Sequence, residues 1–176
     1  MKNEITIGIT KRLKDQININ FLNTIEKYSP VLWTWHAGLR VISRKKCILF
    51  TNDLTLYSFL VYGVKKKDFE DFPALFKENL IQNLESENLT QQEIEIIISN
   101  SDKISLTKTS NRSVLGSLNE FYRLIPFYIQ NGFNNNTDQK SIIGLNKKLN
   151  RTPMQCTKKG FYPIDKLKET VRNFGA

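Results

Sequence analysis

The chain has 176 residues, of which 40% are hydrophobic, and a formal net charge of +9, which together favour one compact domain with an apolar core. No apolar run approaches the roughly 18 residues of a membrane span, and the N-terminal sequence lacks the apolar centre of a signal peptide. The two cysteines, Cys47 and Cys156, are far apart in the chain, as is typical of reduced thiols. We therefore expect a single cytoplasmic domain, residues 1–176, with no membrane contact.

Strand patterns are concentrated in the first third of the chain. Isoleucines alternate with polar neighbours at positions 5, 7 and 9, and residues 32–43 combine aromatic with β-branched side chains. A polar turn at residues 43–46 separates that segment from an apolar run, which indicates a hairpin and then an antiparallel meander. The predicted strands cover residues 5–9, 32–43, 47–50, 56–61 and 103–109.

Helical patterns follow the strands. Apolar residues recur at spacings of three and four over residues 69–84, and Thr90 with Glu93 fits a capping box. Residues 94–98 could also alternate as a strand, and Pro126 is expected to disturb a longer helix. The expected class is α+β, with a small antiparallel sheet, formed by the N-terminal meander plus a later strand, covered by helices. The predicted helices cover residues 11–17, 69–84, 90–98, 112–130, 141–150 and 163–174.

The positive charge is unevenly distributed. Residues 1–60 contain nine basic and four acidic residues, residues 61–100 contain four and eight, and residues 101–176 contain thirteen and five. If the two basic ends meet in the fold, they form one positive face that attracts polyanions such as nucleic acid. The alternative is an ordinary solvated basic surface, which charge alone does not exclude.

Several kinds of chemistry are excluded by what the sequence lacks. His36 is the only histidine, so multi-histidine metal centres and HExxH sites are absent. There is no CxxC pair, which argues against a structural zinc site, and neither GxxxxGK[ST] nor GxGxxG occurs. We therefore expect no metal site and no cofactor.

The first candidate site is the segment WTWHAGLRVISRKKC, residues 33–47, which interleaves aromatic and cationic side chains on one predicted hairpin. Aromatic rings can stack on unpaired bases while Arg and Lys neutralise phosphates. The alternative is that Trp33 and Trp35, which are two residues apart and share a sheet face, point into the core. In that case His36 and Arg40 share the opposite face. The candidate binding residues here are Trp35, His36, Arg40, Arg44 and Lys45.

The second candidate site is KTSNRSVLGSLNE, residues 108–120, where a predicted strand ends and a helix begins. Backbone N–H groups at a helix N-terminus, together with a guanidinium and a hydroxyl group, suit an anion. The alternative is an ordinary helix start with Asn111 or Ser113 as the N-cap. The candidate binding residues here are Lys108, Asn111, Arg112 and Ser113.

The segments WHAGLRVISRKKCILFTNDLTLYSFLV, KKKDFEDFPALFKENLIQNL and KTSNRSVLGSLNE resemble a family of uncharacterised bacterial domains. The shared features are the W-H-A-x-L, R-K-C-x-L-F-T-N and N-R-S-V-L-G-S segments, and the similarity runs from about residue 10 to residue 174. The resemblance implies a bacterial single-domain protein. Because the family is uncharacterised, the resemblance implies no activity, substrate or catalytic residue for this chain.

Three functions remain open, and whether the protein is an enzyme is undecided. The favoured prediction is binding of RNA or single-stranded DNA through a basic face. A protein-interaction partner, for example in a toxin–antitoxin or phage-defence system, is the first alternative. The second is a metal-independent ribonuclease with His36 as general acid or base and a cation stabilising the transition state. The catalytic candidates for that reaction are His36, Arg40, Lys108 and Arg112.

Overall fold

The computed structural model describes residues 4–17, 31–99, 103–154 and 160–175. Five strands in this part of the chain form one sheet in the order β4-β3-β2-β1-β5. The strands are β1 Ile5–Ile9, β2 Thr34–Ile42, β3 Lys45–Asn52, β4 Ser58–Tyr62 and β5 Ile104–Lys108. The helices are α1 Lys11–Ile17, α2 Lys66–Glu70, α3 Phe72–Ser86, α4 Gln91–Ile98, α5 Arg112–Gly132, α6 Gln139–Leu149 and α7 Pro163–Gly175.

The sheet is mixed, and the prediction of a purely antiparallel sheet is wrong. The β2-β3-β4 meander is antiparallel as predicted, but β1 pairs in parallel with β2 on one side and with β5 on the other. Parallel neighbours need a connection of a dozen or more residues, and the chain between Ile9 and Thr34 is long enough. The alternating isoleucines of β1 indicate a strand but carry no information about its direction.

The helix predictions are confirmed in type and shifted at their boundaries. Residues 91–98 are helical rather than extended, and Thr90 and Glu93 form the predicted capping box. The helix predicted over residues 69–84 is two helices, because Asp71 leaves the helical conformation and its side chain caps α3 by accepting from the N–H of Ala74 at 3.2 Å. Helix α5 continues through Pro126.

The turn between β2 and β3 is shorter than predicted. It consists of two residues, Ser43 and Arg44, with φ angles of 48° and 65°. Two successive left-handed residues define the type I′ turn, whose twist matches that of a hairpin. The strand predicted over residues 56–61 likewise starts later, at Ser58, since Leu56 has a φ of 59° and belongs to the preceding connection.

Two apolar cores lie on opposite faces of the sheet. On one face Ile7, Trp35 and Phe50 pack with residues of α1, α2, α3, α4 and α7. On the other face Leu49 and Leu60 pack with α5 and α6. The protein is therefore an α+β structure in which helices cover both faces of a mixed sheet. Within the described ranges, no helix has the length and apolar character needed to cross a bilayer.

The outer edge of β4 is paired with two asparagine side chains, one in α6 and one at the C-cap position directly after it. The N–H of Ser58 donates to Asn150 Oδ1 and Asn150 Nδ2 donates to the Ser58 carbonyl, both at 2.7 Å. One turn earlier on α6, Asn146 exchanges the same two bonds with Leu60 at 2.8 and 3.2 Å. We call these two residues the asparagine pair. Their amides replace a neighbouring strand, so the backbone groups of this edge are satisfied although they are buried.

Candidate nucleic-acid interface

Strands β1 and β5 are parallel neighbours whose following helices lie on opposite faces of the sheet. After β1 the chain enters α1, which packs on the Trp35 face, whereas after β5 it enters α5 on the other face. In open sheets with parallel strands, such a divergence leaves a crevice at the carboxyl ends of the strands, and ligands commonly bind there. The topology therefore makes the carboxyl ends of β1 and β5 a candidate ligand site.

A crevice of about 390 Å³ lies at this position. Lys11 and Lys108 are exposed in its walls, and neither forms an ion pair with a described residue. We name it the carboxyl-end crevice; it contains three lysines and one carboxylate. Its walls are formed by Ile9, Lys11, Lys14, Asp15, Lys108 and Thr109. Such an excess of ammonium groups suits a phosphate or another anion.

Beyond this crevice the β2-β3 hairpin extends past the end of β1. Ile9 is level with Ala37, and β2 continues for five more residues to Ile42, a distance of about 17 Å. The hairpin touches α1, since Lys46 donates to Gln16 Oε1.

The connection from β4 to α2 runs beside the hairpin tip. The N–H of Val64 donates to the carbonyl of Lys46 at 2.9 Å, and the ammonium group of Lys46 lies 5.6 Å from the centre of the Phe69 ring. The crevice, α1, the hairpin tip and the start of α2 are thus neighbours along one end of the sheet. We call their cations the basic strip: Lys11, Lys14, Arg44, Lys45, Lys46, Lys65, Lys66, Lys67 and Lys108.

His36 is not part of that surface. Its side chain is only 1% exposed, and its Nδ1 lies 2.7 Å from Asp53 Oδ1, which is also buried. On the other side of the ring, Nε2 accepts from the N–H groups of Ser110 at 3.2 Å and Asn111 at 3.4 Å. The two candidate sites therefore meet at His36, where the imidazole joins β2 to the end of β3 and to the start of α5.

The electrostatics of this pair follow from burial. Because Nε2 accepts two hydrogen bonds, the proton of the neutral ring is assigned to Nδ1, which donates to Asp53. Burial lowers the pKa of His36 to about 4 and raises the pKa of Asp53 to about 8. Asp53 Oδ2 has no hydrogen-bond partner among the described residues. At neutral pH the pair is therefore uncharged, with the carboxyl proton on Oδ2.

This pair gives the protein a defined pH dependence. From about pH 4 to 6.5 the folded pair holds one proton on Asp53 and the unfolded chain holds one on His36, so stability does not change. Above pH 6.5 the unfolded chain loses that proton, whereas the folded protein keeps its own up to about pH 8. We expect the free energy of unfolding to fall by about 1.4 kcal/mol per pH unit over this window.

The measurement is urea denaturation at a series of pH values from 5 to 8.5, with Asp53→Asn as the matched control. The difference between wild type and variant isolates the pair from the other titrating groups. That difference should shrink as the pH rises from 6.5 to 8. A difference that stays constant over this range would show that Asp53 is already ionised at pH 6.5.

The start of α5 is a capped helix end. Asn111 Oδ1 accepts from the N–H groups of Ser113 at 3.0 Å and Val114 at 3.2 Å. His36 Nε2 accepts from the N–H groups of Ser110 and Asn111. Four donors that could have held an anion are therefore engaged within the protein. Of the residues predicted here, Arg112 and Ser113 keep exposed side chains, and Lys108 contributes to the carboxyl-end crevice.

The two tryptophans point into the protein rather than toward a ligand, as the alternative interpretation of residues 33–47 expects. Trp35 is 1% exposed, and its ring packs against Phe59 and Phe76 with centroids 5.9 and 5.4 Å apart. Trp33 is partly buried and donates from Nε1 to the carbonyl of Ile96 at 3.2 Å. A base has no access to Trp35, so we remove this residue from the candidate interface.

The remaining predicted residues separate onto two surfaces. Arg44 and Lys45 lie at the hairpin tip within the basic strip. Arg40 lies against α5, where its guanidinium is 5.4 Å from the centre of the Tyr122 ring and its Nη2 donates to Asn119 Oδ1 at 3.1 Å.

Sequence reasoning missed Lys11 and Lys14. The signal was present, since two cations three residues apart in KRLKDQI lie on one side of a short helix directly after a strand. Within the described ranges, no group of three or more His, Cys, Asp or Glu side chains is arranged to hold a metal ion.

The fold and its basic end define a small α+β protein with a mixed five-stranded sheet. Residues 6–166 match the model of the family described as "Domain of unknown function (DUF6933)", and the chain belongs to that family. The resemblance to an uncharacterised family, read from the sequence segments, is thereby confirmed. Comparisons with curated proteins and with solved structures found no match.

Proposed function

We propose that this protein binds RNA or single-stranded DNA through the basic strip. The observation that supports the proposal is the carboxyl-end crevice, where Lys11, Lys14 and Lys108 converge at the divergence of α1 and α5. The crevice is continuous with the hairpin tip through the contact between Lys46 and Gln16. A row of cations of this kind neutralises successive phosphates and releases their counterions.

The shape of the surface favours a single strand over a duplex. The crevice is recessed between two strand ends, whereas the hairpin tip projects about 17 Å beyond them. A flexible single strand can enter the crevice and still contact the tip. A duplex, with its persistence length of about 50 nm, does not bend to follow such a surface without a large cost.

The test removes two exposed lysines of the crevice without changing the core. In the double variant Lys11→Gln and Lys108→Gln, we expect affinity for labelled single-stranded RNA to fall about tenfold at low salt. The slope of log K against log salt should decrease in magnitude by about 1.4, because each phosphate contact contributes about 0.7. Fluorescence anisotropy across a salt series measures both quantities.

Lys140→Gln is the matched control, since Lys140 is an exposed lysine on α6, outside the basic strip. This variant should bind as the wild type does. Unchanged binding by the double variant would show that the crevice is not the interface. Absence of binding by the wild type at low salt would remove the proposal altogether.

The geometry does not favour the ribonuclease alternative. A general base must reach the proton that it removes, but His36 is buried and its Nε2 already accepts two hydrogen bonds. Running the RNA from the binding experiment on a denaturing gel tests this directly. Intact RNA is the expected result.

The protein-partner alternative also lacks a specific supporting observation. Large exposed apolar side chains in the described ranges, such as Val41, Phe127 and Tyr162, are distributed over separate elements rather than gathered into one extended patch. Val41 lines a groove together with Arg40 and Arg123, and Phe127 follows Arg123 by one helical turn.

A further inference from the structure

A groove of about 520 Å³ lies between the end of β2 and the middle of α5. It is separate from the carboxyl-end crevice and shares no lining residue with it. Its walls combine two guanidinium groups, one amide and several apolar surfaces. They include Arg40, Val41, Asn119, Tyr122, Arg123 and Pro126.

The arginines of this groove are available to an anion. Arg40 is held in place by the ring of Tyr122 and by its hydrogen bond to Asn119, and that bond uses one of the five guanidinium N–H donors. Neither Arg40 nor Arg123 forms an ion pair with a described carboxylate. A guanidinium fixed in this way loses little side-chain entropy when it binds a phosphate through two parallel hydrogen bonds.

An exposed aromatic ring continues the same side of α5. Asn119, Arg123 and Phe127 follow at four-residue spacing, so they are neighbours along the helix surface over about 12 Å. Phe127 is 59% exposed, so its ring is open to solvent. A nucleobase can stack on such a ring.

Pro126 adds a hydrogen-bond acceptor. Proline has no N–H, so the carbonyl of Tyr122, four residues earlier in α5, lacks its usual helical donor. Both residues line the groove.

We propose that this groove binds a nucleotide, with its terminal 5′-phosphate held by Arg40 and Arg123 and its base stacked on Phe127. A terminal phosphate carries nearly two negative charges and three acceptor oxygens, which match two guanidiniums better than an internal phosphodiester does. The proposal extends the proposed function, since the 5′-phosphorylated end of a bound strand is one source of this chemistry. A free nucleotide is the other source.

The first experiment uses 5′-AMP and adenosine as probes, with binding measured by NMR titration and calorimetry. We expect 5′-AMP to bind at least tenfold more tightly than adenosine, with shifts at the amides of Asn119, Arg123 and Phe127. Arg40→Gln and Arg123→Gln should each weaken 5′-AMP binding about tenfold, and Phe127→Ala should weaken binding of both probes about fivefold.

The control is Arg172→Gln, which removes an exposed arginine on α7 that pairs with Glu93 at 3.4 Å and should leave 5′-AMP binding unchanged. Equal binding of 5′-AMP and adenosine overturns the proposal, as does wild-type affinity in Arg40→Gln. A phosphoserine peptide that binds as tightly as 5′-AMP and is insensitive to Phe127→Ala also overturns it, because the site would then recognise phosphate alone.

The second experiment separates this proposal from the basic strip. Single-stranded RNA with a 5′-phosphate should bind more tightly than the same RNA with a 5′-hydroxyl, and Arg40→Gln should abolish the difference. The double variant Lys11→Gln and Lys108→Gln should lower the affinity for both RNAs by the same factor and leave the affinity for 5′-AMP unchanged. If 5′-AMP binds and neither RNA does, the groove binds a free nucleotide. In that case the proposed binding of nucleic acid by the basic strip is wrong, while the proposed nucleotide site stands.

Discussion

Replacing His36 by alanine is expected to destabilise the protein by about 3 to 5 kcal/mol, because it leaves three buried or partly buried polar groups without a partner. The change leaves the uncharged Asp53 carboxyl buried without the hydrogen bond from His36 Nδ1, at a cost of about 1 to 3 kcal/mol. It also leaves the N–H groups of Ser110 and Asn111 without the Nε2 acceptor that they share. Urea denaturation followed by tryptophan fluorescence measures the loss.

Asp53→Asn is the informative comparison for this prediction. An asparagine has the shape of a protonated aspartate and still accepts from His36 Nδ1, so its cost should be about 1 kcal/mol near neutral pH. Equal losses in the two variants would mean that the carboxylate charge, rather than the hydrogen bonds of the imidazole, stabilises this region. A loss below about 1 kcal/mol in His36→Ala would show that the start of α5 does not depend on the imidazole.

Asn150→Ala is expected to cost about 2 to 4 kcal/mol. Asn150 is 0% exposed, and its removal leaves both backbone groups of Ser58 buried without a partner, each at a cost of about 1 to 3 kcal/mol. The carbonyl of Asn146 also loses a bond from Asn150 Nδ2 at 2.9 Å. Native-state hydrogen exchange should show faster exchange at the amide of Ser58 together with the global loss in urea denaturation.

The control is Asn131→Ala, because Asn131 is a helical asparagine that donates to the carbonyl of Phe127 at 3.0 Å but is exposed. This variant should change stability by less than about 0.5 kcal/mol. If Asn150→Ala has as small an effect, water replaces the amide at the edge of β4, and the asparagine pair does not stabilise the sheet.

The sequence carried enough information for the local parts of the fold. The capping box at Thr90 favoured a helix over a strand for the residues that follow, and that segment is helical. Trp33 and Trp35 are two residues apart in a strand and so share a sheet face, which gave the alternative in which they point into the core. Trp35 is buried, as that alternative expects. The same parity placed His36 and Arg40 together on the opposite face. These features depend on neighbours within a few residues, where periodicity and hydrogen-bonding rules are informative.

The features that were missed depend on contacts between distant parts of the chain. Nothing near Asp53 in the sequence indicates that it meets His36. Likewise, an asparagine within α6 or directly after it shows no sign of pairing with a strand. The carboxyl-end crevice likewise requires β1 and β5 to be parallel neighbours, although about 95 residues separate them. A single sequence contains no local signal for any of these arrangements.

The position of β1 between β2 and β5 also sets an order for folding. The β2-β3-β4 meander pairs residues that are close in the chain, so it can form early, whereas β1 finds its second neighbour only when residues 104–108 are available. During synthesis on a ribosome, the first strand therefore waits until well over half of the chain has emerged. We expect a nascent chain that ends before β5 to leave one edge of β1 open, and this interval is when the protein is most exposed to mispairing with other strands.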